Sequence, residues 1–167
     1  MIKIIIDLLS LLWNKEIDKE TFLKSFKSRT GCDLTEDFLN ENIEKSIDKK
    51  DGEMIDFLIQ LGFIIGFSKK SIPVLCKLLM NNIHHKHEDI ARILETLKDP
   101  LSVESLYEAS QEQYDYLDYD DTYQFARKCI KALSAIGNIH AVEKLNLLTK
   151  NAIPEISNYA KKELLKF

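Results

Sequence analysis

The sequence predicts an all-α fold: an α-α superhelix, or solenoid, of antiparallel helix pairs behind an N-terminal helical cap. Three observations lead there. Apolar residues recur at helical spacing along nearly the whole chain, only five glycines and three prolines interrupt its 167 residues, and C-terminal segments align on one another at offsets of 31 to 39. Self-similarity at that period, two helices to a unit, is what stacked helical repeats produce. One domain spanning 1–167 is expected, with 1–52 as the cap and 53–167 as the repeats.

The cap reads as three helices. MIKIIIDLLSLLW places Ile2, Ile5, Ile6, Leu9 and Trp13 on one face, the stripe of a first core helix. Interrupting charge at Asp7, a short length and no small-residue cleavage site argue against a signal peptide or a membrane span. Asp18 suits the N-cap of a second helix running to about Arg29, with Phe22, Leu23 and Phe26 inward and Gly31 as its stop. Thr35 suits the cap of a third, which carries Phe38, Leu39, Ile43 and Ile47 to a charged stop at Asp48 to Gly52.

From Glu53 the helices come in pairs. MIDFLIQLGFIIGF is apolar nearly all round and is expected to be buried on most sides, paired across a KKS turn with Ile72 to Met80, where Pro73 sits in the tolerant first turn. HEDIARILETLKD with PLSVESLYEA, and TYQFARKCIKALSAIG with NIHAVEKLNLLTK, form the next two pairs, and PEISNYAKKELLKF a last helix. Leu94, Leu97, Val103 and Leu106 align with Leu133, Ile136, Val142 and Leu145 at a constant offset of 39. Ala126, Arg127, Lys128 and Ile130 align with Ala160, Lys161, Lys162 and Leu164 at 34, and Ile72 with Val103 at 31.

ARKCIKALSAIGNIHAVEKLNLLTK resembles a HEAT-like repeat of the short kind found in phycobilisome-lyase-related proteins. It has a helix, a Leu-x-x-Ile-Gly turn, and Ala-Val-x-x-Leu opening the second helix. ARILETLKDPLSVESL resembles the same unit with Lys98-Asp99-Pro100 at its turn. The resemblance implies a scaffold for binding other proteins, and residues 1–52 stand outside it.

The 39-residue step contains extra residues between Leu106 and the helix starting near Thr122, which is where the charge anomaly lies. Tyr107 to Tyr123, YEASQEQYDYLDYDDTY, holds five of the six tyrosines and six carboxylates, with no Lys or Arg. The formal charge of -4 is therefore concentrated there, leaving the rest of the chain at about +2. That balance excludes the clustered basic stripe of a nucleic-acid binder and points to a basic protein partner. Tyrosine supplies large contact area at low rotamer entropy, so the expected partner-binding residues are Glu108, Glu112, Tyr114, Asp115, Tyr116, Asp118, Tyr119, Asp120, Asp121 and Tyr123. A structural reading of the same tract makes Asp118 or Asp120 the N-cap of the following helix and packs Tyr119 and Tyr123 onto the repeats. DYLDYDD lacks the Gly and Glu of a calcium-binding EF-hand loop.

His84, His85, His87 and Glu88 make a second cluster, in which His84, His87 and Glu88 share a helical face with metal-ligand spacing or else form a solvated turn. HEAT-repeat di-iron hydroxylases use several His-Glu pairs, whereas this chain has one, His87-Glu88. No Gly-x-Ser-x-Gly or glycine-rich phosphate loop is present, and a spatial pairing of Cys129 with His140 lacks a local signature, so no enzyme and no cofactor are expected. Cys32, Cys76 and Cys129 are spaced as small buried residues of a reducing compartment, and a cytoplasmic location is expected. Small acidic HEAT-like chains of this size resemble immunity proteins of bacterial toxin systems, and abundant Ile, Lys and Asn fit an AT-rich bacterial genome. The resemblance implies neutralisation of a basic toxin domain through the acidic tyrosine surface, without membrane or nucleic acid. A scaffold or chaperone for another protein, and a metal-dependent enzyme built on His84 and Glu88, are the alternatives.

Overall fold

A computed structural model describes residues 2–117 and 121–167. Asp118, Tyr119 and Asp120 of the expected binding surface, and the assignment of Asp118 or Asp120 as a cap, lie outside the described residues. Among those described, all regular structure is helical, with no strand. The ten α-helices are α1 (Ile2–Trp13), α2 (Lys19–Thr30), α3 (Glu36–Lys49), α4 (Gly52–Ile65), α5 (Ile72–Leu79), α6 (His87–Leu97), α7 (Val103–Ala109), α8 (Gln124–Ile136), α9 (Ile139–Leu148) and α10 (Pro154–Leu164). None is long and apolar enough to cross a membrane.

Two compact units divide the chain, Met1–Phe67 and Ser68–Phe167. In the first, α1 packs on α2 and α4, and α3 on α4. Asp18 accepts the Thr21 N–H and Thr35 the Phe38 N–H, so both expected caps satisfy donors that the first helical turn leaves without partners. Ile5, Leu8, Leu9, Phe22, Phe26, Leu39 and Ile43 are fully buried, and Phe38 meets Phe26 edge-on at 5.6 Å. Trp13 and Ile6, expected inside, are exposed: the buried stripe of α1 runs through Leu8 instead. α4 buries Ile55, Leu58, Ile59, Leu61 and Gly62 while Phe63 faces solvent, and it belongs with α3 and α1 in this unit, whereas α5 opens the other. Of the cysteines, Cys129 is buried but Cys32 is exposed.

In the second unit α6, α8 and α10 pack in succession, as do α5, α7 and α9. The connections between α5 and α6, α7 and α8, and α9 and α10 also join packed neighbours, so each helix of one row lies against the other row. Leu94 and Leu133 are fully buried, as are Leu106 and Leu145.

The turns repeat as closely as the helices. Lys98 ends α6 in the left-handed region at φ 50°, and Gly137, 39 residues on, ends α8 at φ 62°. The next residue in each case is a cap: Asp99 accepts the Leu101 N–H at 3.0 Å, and Asn138 the Ala141 N–H at 2.8 Å. At an offset of 31, Ser68 and Asp99 each accept a backbone N–H before a short 3-10 turn, Lys69–Ser71 and Pro100–Ser102, that leads into α5 and α7. The buried Ser71 and Ser102 occupy equivalent places.

Equivalent turns with different residues give opposite expectations. A side chain at left-handed φ costs roughly 1–2 kcal/mol, partly offset by the chain entropy that glycine loses on folding. Lys98→Gly should therefore stabilise by about 0.5 kcal/mol, and Gly137→Ala should destabilise by about 1 kcal/mol. Urea unfolding of the two variants, followed by circular dichroism, measures both signs.

Candidate functional site

α5 is only eight residues long, and the carbonyls of its last turn need partners from outside the helix. They find them in side chains. His84 accepts the Lys86 N–H on Nδ1 at 3.0 Å, which leaves Nε2–H to donate to the Leu78 carbonyl at 2.8 Å. Tyr114 donates its hydroxyl to the Leu79 carbonyl at 2.7 Å, from 35 residues away. The helix end is thus capped by one residue of the following turn and one of the acidic tract.

His87, at the first position of α6, binds these parts together. Its Nε2 lies 2.8 Å from the Asn81 carbonyl, which can only accept, so Nε2 carries the proton. Nδ1 is then an acceptor, and the Tyr116 hydroxyl donates to it at 2.9 Å. His84 stacks on the imidazole at 4.2 Å and Tyr114 at 3.7 Å, both nearly parallel, so the ring is held between them. Phe125 of α8 closes the cluster edge-on against both His87 and Tyr114. Burial, then the charges of His84 and His85, push His87 down to about 3. Burial, then the Glu112 charge, pushes the Tyr114 phenol up.

The solvated histidine turn is thus overturned: His84 and His87 are buried, His85 alone of the three is exposed, and Glu88 turns to Lys128 at 2.7 Å rather than towards His84. Tyr114, expected on the binding surface, is also buried, because its ring completes the stack. Cys129 is fully buried, and burial raises its thiol, while His140 is exposed beside Glu143. The N-cap of α8 is Tyr123, at φ 51°, and its side chain makes no capping hydrogen bond.

Glu108, Glu112, Asp115 and Asp121 are exposed, and Tyr116 and Tyr123 half-buried. A 3-10 turn at Asp115–Leu117 carries the middle of the tract, and Tyr159 of α10 donates to the Thr122 carbonyl at 2.6 Å near its far end. The helices have neutralised other carboxylates: Lys144 pairs with Glu104 at 2.7 Å and lies 4.4 Å over the Tyr107 ring. Among the described residues Glu112, Asp115 and Asp121 are in no ion pair. Between the tract and the turn after α5 runs an open groove of about 840 Å³, whose walls include Met80, Asn82, His85, Glu112, Asp115 and Tyr116. Protein-family models, curated proteins and solved structures yield no match to the chain.

The low proton affinity of His87 fixes a direction for pH. An unfolded histidine takes up its proton near pH 6.5 whereas the folded one stays neutral until about pH 3, so the unfolded state gains protons first as pH falls. Stability from this group is complete above pH 6.5 and declines towards pH 3, by up to about 1.4 kcal/mol per pH unit. Between pH 6.5 and 5 the native protein should lose about 2 kcal/mol more than His87→Gln, read from urea midpoints. Tyr114→Phe, which leaves the Leu79 carbonyl buried without its donor, should cost about 1–2 kcal/mol in the same assay.

Proposed function

We propose that this chain is a non-catalytic binding protein of the immunity type, which neutralises a bacterial toxin by covering a basic face of it with the acidic tyrosine tract. Binding takes place in the cytoplasm, with no cofactor, membrane or nucleic acid involved. The two rows of helices in Ser68–Phe167, and the turns that recur at 31 and 39 residues, support reading this unit as a short HEAT-like solenoid. Solenoids of that kind bind by shape and charge complementarity.

One observation carries the reading. The exposed carboxylates Glu112 and Asp115 have no ion-pair partner among the described residues, yet their segment is anchored through Tyr114 and Tyr116 to α5 and His87. An unanchored acidic loop would lose ordering entropy on binding, and a paired carboxylate would first have to break its own contact. This tract meets neither cost in full. Its field also favours fast capture of a basic partner, as inhibition of a toxin demands.

The test is co-expression with a toxin encoded by the adjacent gene. Replacing Glu108, Glu112, Asp115, Asp118, Asp120 and Asp121 by their amides should abolish protection, slow association by about ten-fold or more and flatten its salt dependence, with helicity unchanged. Undiminished protection and affinity in that variant would remove the tract from the interface.

A further inference from the structure

We infer that the groove between Asn82 and Asp115 is a receptor for a single arginine side chain presented by the protein partner. This deepens the acidic-tract reading and rests on it. The walls come from two segments, the turn after α5 and the tract at 112–116, about 30 residues apart in the chain. They are held in register by the Tyr114 hydroxyl on Leu79 and by His87, which ties Asn81 to Tyr116. The concavity therefore exists before any ligand arrives, and its cost in entropy is met on folding.

The lining chemistry selects the occupant. Glu112 and Asp115 bring two exposed carboxylates to it, and among the described residues no Lys or Arg lines it. Tyr116 and the exposed His85 bring aromatic rings, 4.8 Å apart and inclined at 66°. A flat cation that can lie on a ring while its edge meets a carboxylate suits both features, and guanidinium has that shape. An ammonium ion meets the charge but lacks the planar face. Asn82 and Gln113 add side-chain amides whose oxygens can accept further N–H bonds.

The experiment titrates the 167-residue chain, labelled with ¹⁵N, with the capped peptide Gly-Arg-Gly and with its lysine and citrulline counterparts. The arginine peptide should shift amides of Asn82, His85, Gln113 and Tyr116 with saturable, millimolar-range affinity. It should bind about five-fold or more tightly than the uncharged citrulline peptide, and more tightly than the lysine one. Glu112→Gln with Asp115→Asn, both at exposed positions, should lower that affinity about five-fold or more without altering the spectrum elsewhere. Equal binding of citrulline or lysine, shifts confined to other parts of the chain, or an unaffected double variant would each overturn the groove assignment. None of these readouts uses a toxin. Loss of the groove would leave Glu108 and Asp121 to carry an interface with a basic partner, and failure to protect cells would leave a groove that binds arginine.

Discussion

The imidazole of His87 has no exposed surface and two nitrogens that must both find partners. Burying a polar group unpaired costs a few kcal/mol, a large share of what a single domain has in reserve. One nitrogen is satisfied locally, by the Asn81 carbonyl six residues back. The other is satisfied only by Tyr116, 29 residues ahead, so the packing of α6 and the placement of the acidic tract are one constraint. The flanking rings of His84 and Tyr114 follow from it, since each caps α5 with its polar end while its face covers the imidazole.

Residues 114 to 117 are therefore more than a connection between α7 and α8. They supply the aromatic ring that stacks on His87 and caps α5, and alternate it with charge. Tyr114 points in, Asp115 is exposed and Tyr116 reaches back to His87. The far end is drawn to α10 through Thr122 and Tyr159, and Tyr123 then opens α8 at a positive φ that costs a non-glycine residue roughly 1–2 kcal/mol. The α8 helix follows from there, with Phe125 turned into the ring cluster.

Much of the fold was legible because its signals are local. Asp18, Thr35, Gly31 and Gly137 cap or end helices within a few residues of themselves, and apolar periodicity located all ten helices to within a few residues. What escaped was set by contacts distant in sequence. Trp13 lies on a plausible apolar stripe, and only the packing of α1 on α2 and α4 decides that the buried face runs through Leu8. In the sequence the histidines and the tyrosines read as separate sites, because nothing local couples residues 29 to 35 apart. A signal was present: a His six residues beyond Leu78 can reach back to cap α5, which argued against a merely solvated turn.

The absence of an ion pair at Glu112 and Asp115 among the described residues has a topological cause. Glu88 of α6 pairs with Lys128 of α8, and Glu104 of α7 with Lys144 of α9. Both pairs span 40 residues, and both join a helix to the next helix of its row. The inserted segment has no such equivalent: α9 ends at Leu148 and α10 begins at Pro154, too close for a second tract. Glu112 and Asp115 consequently have no lysine at that spacing, as Glu88 and Glu104 do. A cation from another molecule would do for Glu112 and Asp115 what Lys128 and Lys144 do for the helices. Because the tract is anchored on its buried side, that cation would meet carboxylates already in place.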